Sequence, residues 1–177
     1  MYQLQRSLEL DGFRELDGKL VPTDTAIFDQ PKQVSLLRAN VQSSQLPSTE
    51  VLLHHFANAE ELYVARKFDT ATGEWRKFLE QLLRDIAEST AQNRPDLKND
   101  ASKLTMKLLF PYLKHAGFFD SDEELAFSNT YGFLCSGSRP GVGREQQAYL
   151  AMVLSLTFSH VALTKFAVWK AHGYESF

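Results

Sequence analysis

The chain has 177 residues, one cysteine and a formal net charge of −3, with 44% hydrophobic, 12% aromatic and 23% charged residues. This composition excludes a disordered or collagen-like chain and a disulfide scaffold, and the charge balance excludes a global basic field for nucleic acid. The length suits one domain of roughly 100–200 residues, which buries roughly 70% of its extended-chain surface without a metal or disulfide to staple it.

Residues 3–10 carry Leu4, Leu8 and Leu10, a pattern short enough to fit a helix or a strand. In Phe13–Pro22 the pair Asp17-Gly18 separates two short runs with apolar residues, the signature of a β-hairpin. A helix is expected from about Pro31, because proline suits the first helical position, and it must end before Pro47. Ser48 then reads as the N-cap of a helix carrying Leu52, Phe56, Ala59 and Tyr63. A break at Phe68-Asp69 is expected before another helix, whose Trp75, Phe78, Leu79, Leu82, Leu83 and Ile86 form one apolar stripe. Glu80, Arg84 and Glu88 on its other face read as a solvated row of i,i+4 ion pairs rather than a catalytic carboxylate pair.

Residues 92–100 are polar and proline-broken, hence a loop. Leu104, Leu108 and Leu109 begin a further helix that Pro111 is expected to bend or end, with Gly117 closing the region. Ser121-Asp-Glu-Glu124 matches a capping box for a helix toward Cys135, and Cys135 itself reads as a small buried residue or an ordinary thiol. After the loop Ser136–Gly143, a last helix runs from Arg144 to about Ala171, with Gly173 as terminator. Its Ala148–Trp169 stretch is as long as a bilayer span, but Ser155, Thr157, Ser159, His160, Thr164 and Lys165 interrupt it, so a buried central helix is expected and no membrane role. The N-terminus lacks a secretory signal, so the expected location is cytoplasmic. The expected fold is mainly α: residues 1–30 form an N-terminal segment with a small β-hairpin, and residues 31–177 a single-domain bundle of about six helices with a long buried C-terminal helix.

No metal site or cofactor is expected. His54 and His55 are adjacent and point about 100° apart on a helix, there is no HExxH, and the one cysteine makes no CxxC. Glu50 lies one turn before His54 as a surface partner; His160 reads as a core histidine; His115 and His172 suit helix C-terminal ends. The loop Ser136-Gly-Ser-Arg-Pro-Gly-Val-Gly143 is the segment that points to chemistry. Three glycines let backbone N–H groups face a ligand, a helix N-terminus follows, and Arg139 and Arg144 can grip phosphate. It matches neither a P-loop nor a GxGxxG turn, so an inter-helix connection with exposed arginines stays open beside an anion or nucleic-acid site. The candidate set is Ser136, Ser138, Arg139 and Arg144, with Asn129 and Tyr131 as polar helpers.

The hairpin DGF...DGKLVP, the helix AEELYVARKFDTATGEWRKFLEQLLRDIA and the closing NTYGFLCSGSRPGVGREQQAYLAMVLSLTFSHVALTKF together resemble the HEPN-like helical domains of bacterial abortive-infection and toxin–antitoxin proteins. The resemblance implies an all-α bundle, often homodimeric, that acts on RNA or a partner protein in phage defence. Active members of that superfamily carry Arg, four to six residues, then His; here Arg139 is followed by Arg144 where the His would stand. Arginine stabilises charge but cannot serve as a base near neutral pH. The expected function is therefore a non-catalytic or degenerate HEPN-like interaction domain that contacts RNA or nucleotide phosphate through residues 136–144. The alternatives are a metal-independent ribonuclease using Arg139 and Arg144, and a nucleotide or small-molecule sensor.

Overall fold

A computed structural model describes residues 13–16, 19–22, 30–94, 96–97, 101–136 and 144–173. The chain divides into two compact units, Met1–Leu36 and Leu37–Phe177. In the first, two four-residue extended segments, Phe13–Leu16 and Lys19–Pro22, precede the start of a helix. Residues 3–10 and the Asp17-Gly18 turn lie outside the described residues.

The described residues form six α-helices: α1 Gln30–Ser43, α2 Thr49–Val64, α3 Phe68–Asn93, α4 Met106–His115, α5 Ser121–Cys135 and α6 Arg144–Ala171. A short 3-10 turn, Ala101–Lys103, precedes α4. The all-α bundle expected from the apolar periodicity is what the structure has.

The centre belongs to α3, which packs against α2, α4, α5 and α6. All six residues of its stripe are fully buried, and Phe56 of α2 meets Trp75 and Phe78 edge-on at 5.2 and 5.5 Å between ring centres. The long C-terminal helix was expected in that place; instead α6 buries Ala148, Ala151, Met152, Leu156, Ala162, Leu163, Phe166 and Trp169 on one side and leaves Tyr149, Leu150, Val161 and Val168 exposed. Among the described residues it is the one helix long and apolar enough to cross a membrane. A second aromatic cluster joins the α4–α5 turn to α5 and α6 through Phe118–Trp169, Phe119–Phe127 and Phe127–Phe158.

Several boundaries shift from the sequence reading for identifiable reasons. The break expected at Phe68-Asp69 lies one turn earlier, at Ala65–Lys67, where Arg66 adopts φ 57°. The Lys67 N–H bonds the Leu62 carbonyl at 2.8 Å, a helix-closing turn that usually recruits glycine and here uses arginine. Helix α4 passes through Pro111 rather than ending there. The carbonyl that loses its helical donor to the proline is that of Lys107; Lys107 and Pro111 are both exposed. Gly117 closes α4 at φ 83°, with the Phe118 N–H on the Leu113 carbonyl at 2.9 Å. The capping box starts one residue before Ser121: Asp120 Oδ1 accepts from the N–H groups of Asp122 and Glu123 at 2.9 and 2.8 Å, and Glu123 Oε2 accepts from the Asp120 N–H at 2.8 Å. Ser48 holds the N-cap position of α2, yet its side chain does not cap. Its N–H donates to Asp85 Oδ2 at 2.9 Å and its Oγ accepts from Gln81 at 3.1 Å, while Gln81 also donates to Asp85 Oδ1 at 2.7 Å. Asp85 is completely buried, so these bonds replace its lost water and fix the α1–α2 connection to α3.

Two outcomes follow. Leu82→Ala removes a fully buried side chain from the central stripe and should lower the unfolding free energy by about 2–5 kcal/mol in urea titrations. Arg66→Gly relieves a left-handed residue at a helix end and should raise stability by about 0.5–1 kcal/mol in the same assay.

Candidate functional site

The N-terminal turns of α3, the last turn of α5 and the first turn of α6 converge on a cavity of about 330 Å³. Asp69, Thr72, Gly73 and Arg76 line it from α3, Leu134 and Cys135 from α5, and Arg144 and Gln147 from α6. Arg144 is the first residue of α6, where unpaired backbone N–H groups and the helix dipole favour an anion. Its guanidinium lies 3.5 Å from the Asp69 carboxylate, and both side chains are more than half exposed, so the pair is a weak, salt-screened contact. Arg76 is half-buried and its buried Nε has no hydrogen-bond partner among the described residues. Gln147 is buried beside it, and nothing stands within 4 Å of a Cβ placed on Gly73, so the floor of the cavity is open there.

Of the six residues expected to form a site, Arg144 lines this cavity. Ser138 and Arg139 lie outside the described residues. Ser136 ends α5 and spends its hydroxyl on the Phe133 carbonyl at 2.7 Å, and Asn129 is exposed and not among the lining residues. Tyr131 lies one turn before Cys135 and donates its phenol proton to Glu80 Oε2 at 3.3 Å. Burial first, then the hydrogen bond with Cys135 and the Glu80 charge, push that phenol far above its ordinary range. Cys135, expected as a small buried side chain or an ordinary thiol, is exposed. The sequence reading missed Arg76, Thr72 and Gln147. Arg76 lies one turn before Glu80 beside the stripe and, like Thr72 and Gln147, carries no mark that sets it apart from other polar helix residues.

The charged row on α3 is structural. Arg84 pairs with Glu80 at 3.0 Å, as its i,i+4 spacing suggests, and also donates to the Leu104 carbonyl at 2.6 Å, tying α3 to the approach to α4. Among the described residues no group of three or more His, Cys, Asp or Glu side chains is placed to hold a metal ion. His54 meets Asn58 at 3.0 Å, not Glu50. His55 reaches Glu74 of α3 at 2.7 Å, and Lys77 approaches the same carboxylate at 2.7 Å. His160 is half-buried and approaches Asn40 of α1 at 3.4 Å.

A larger cavity of about 420 Å³ lies between the C-terminal ends of α1 and α6, lined by Asn40, Ser43, Leu163, Phe166, Val168 and Lys170 among others. The one charged residue among those lining it is Lys170. Compared with protein-family models, curated proteins and solved structures, the chain matches none.

Glu74 offers a pH readout on the packing of α2 against α3. Burial raises its carboxyl, but the hydrogen bonds and charges of Lys77 and His55 outweigh this and hold it below the ordinary carboxylate value. A carboxyl lowered in the folded state stabilises it at pH values above the unfolded carboxylate's range, and this contribution is lost as pH falls through the folded value. Glu74→Gln should therefore be clearly destabilised relative to wild type at pH 7, with the difference shrinking toward pH 3 in urea titrations.

Proposed function

We propose that this chain is a non-catalytic, HEPN-like interaction domain of a bacterial defence system, and that its cleft binds the phosphate of RNA or of a nucleotide. The carrying observation is that Arg76 and Arg144 line one cavity at the N-terminus of α6. Two guanidinium groups and a helix N-terminus provide the charge and the donors that a phosphate needs, against a single opposing carboxylate, Asp69. Arg139 and Ser138, in the adjoining loop, extend the same phosphate-binding set in this reading, and Asn129, Tyr131 and Ser136 are its outer members. The two N-terminal extended segments close as a hairpin about Asp17-Gly18. The location is cytoplasmic, and the partner is RNA or another defence protein rather than a membrane.

Binding is favoured over cleavage because, among the described residues, no histidine lines the cavity. Arginine is a poor proton acceptor, and burial, Cys135 and Glu80 hold the Tyr131 phenol far above its ordinary range. A ribonuclease reading would have to assign the proton transfer to the Asp69 carboxylate or the Cys135 thiol, the cavity's other titratable groups.

The test is fluorescence anisotropy of a labelled 12-nucleotide single-stranded RNA, with adenosine monophosphate and inorganic phosphate as competitors and a denaturing gel on the same samples. The Arg76→Ala, Arg144→Ala double variant should bind at least tenfold more weakly, and the slope of log affinity against log salt should fall by about 0.7 for each arginine lost. The RNA should stay intact throughout. Unchanged binding in the double variant overturns the site, and RNA cleavage by wild type alone replaces the reading with the ribonuclease. Competition by the mononucleotide at equal affinity would identify a nucleotide sensor.

A further inference from the structure

Between α1 and α6, polar side chains meet at two levels: Asn40 approaches His160 Nδ1 at 3.4 Å, and the Lys170 ammonium donates to Gln45 Oε1 at 3.0 Å. The two levels are ten residues apart on α6, about 15 Å of helix. The cavity of about 420 Å³ opens between them, a volume inside the range of roughly 300–1,000 Å³ that small-molecule sites occupy. Leu163 and Phe166, both buried, and Ala167 and Val168, both exposed, give it apolar walls along α6. On the α1 side the hydroxyls are already spent on their own helix end, Ser43 on the Asn40 carbonyl at 3.1 Å and Ser44 on the Val41 carbonyl at 2.7 Å. The carbonyls of Val168 and Lys170 likewise accept the N–H groups of His172 and Gly173. The charge at the mouth is therefore that of Lys170: no acidic residue lines the cavity, and among the described residues the ammonium has a neutral amide for its partner.

We infer that this cavity is a binding site for an aliphatic monocarboxylate, its chain lying along Leu163, Phe166 and Ala167 and its carboxylate on Lys170 in place of the Gln45 amide. A charge-assisted hydrogen bond from the ammonium to a carboxylate is stronger than the one it makes to an amide. A single ammonium without a cluster of backbone donors suits a singly charged carboxylate rather than a phosphate, which takes several donors. The end of the α6 dipole opposes an anion with half a charge at most, against the full charge of the lysine. The distance between the two bridges sets the length, a chain of roughly eight to ten carbons. This site shares no residue with the phosphate cleft, so neither reading depends on the other.

Isothermal titration calorimetry of the full chain at neutral pH tests it with two probes of the same chain and opposite charge, decanoate and decylammonium. Wild type should bind one decanoate per chain and bind decylammonium at least tenfold more weakly. Lys170→Glu should reverse that order. Ala167→Trp, which puts an indole into the groove from an exposed position, should weaken decanoate binding by at least tenfold. Leu125→Ala, at an exposed apolar residue of α5, and the Arg76→Ala, Arg144→Ala double variant should bind as wild type does, with circular dichroism melts confirming that every variant is folded. No decanoate binding by wild type, binding that survives Ala167→Trp, or a loss in Leu125→Ala equal to that in Ala167→Trp overturns the site. Equal affinity for the two probes, or an order that Lys170→Glu leaves unchanged, overturns its carboxylate class.

Discussion

A 26-residue helix whose apolar stripe is completely buried has to be enclosed from more than one direction, and the rest of the described bundle is arranged by that demand on α3. Helix α2 closes one side through Phe56, and α6 closes another with a surface rich in Ala and Ser that lets it lie close. At roughly 25 cal/mol per Å² of apolar area, such burial is the largest favourable contribution available to the chain. The polar exceptions are placed to support it. Asp85 is buried at the cost of its hydration and is matched by the Ser48 N–H and Gln81, so it pins the α1–α2 connection to α3. Glu123 performs a similar task at the far side, capping α5 while it receives the Lys165 ammonium of α6.

The cleft is a by-product of the same arrangement. Because α3 and α6 both begin where α5 ends, two helix N-termini and one C-terminus meet at a point, and side chains remote in sequence face a common space. Arg76 and Arg144 are 68 positions apart, the difference of their residue numbers, and α3 packing against α6 and α5 is what brings them together. The opposite ends of α1 and α6 form a somewhat larger cavity, whose one charged lining residue is Lys170.

Where the elements lie was readable because helical periodicity is a local property. The stripe from Trp75 to Ile86, the start of α6 at Arg144 and the glycine stops at 117 and 173 all follow from spacing or from the conformational freedom of one residue. The errors share a cause. Arg66 in a left-handed conformation carries no sequence mark, and the Asp120 cap won over Ser121 because its carboxylate reaches two N–H groups at once. Of the candidate site, Arg144 and the neighbourhood of the α5–α6 connection were legible, since glycine, arginine and a helix start coincide there. Arg76, Thr72 and Gln147 were not, because a polar residue in a helix shows nothing of what lies across the gap.

By itself, the sequence determined that this is an all-α protein with a central apolar stripe, a long uncharged last helix and no cysteine or histidine framework for metal or disulfide chemistry, since composition and 3.6-residue periodicity are properties of neighbours along the chain. Only the tertiary structure decided which helix occupies the middle. Both α3 and α6 are apolar enough for that position, and the choice depends on how many partners each can hold: α3 is enclosed, whereas α6 keeps one apolar face outward. The tertiary structure also decided that two arginines share a cleft, because proximity across a bundle arises from packing angles and helix lengths that no local pattern encodes.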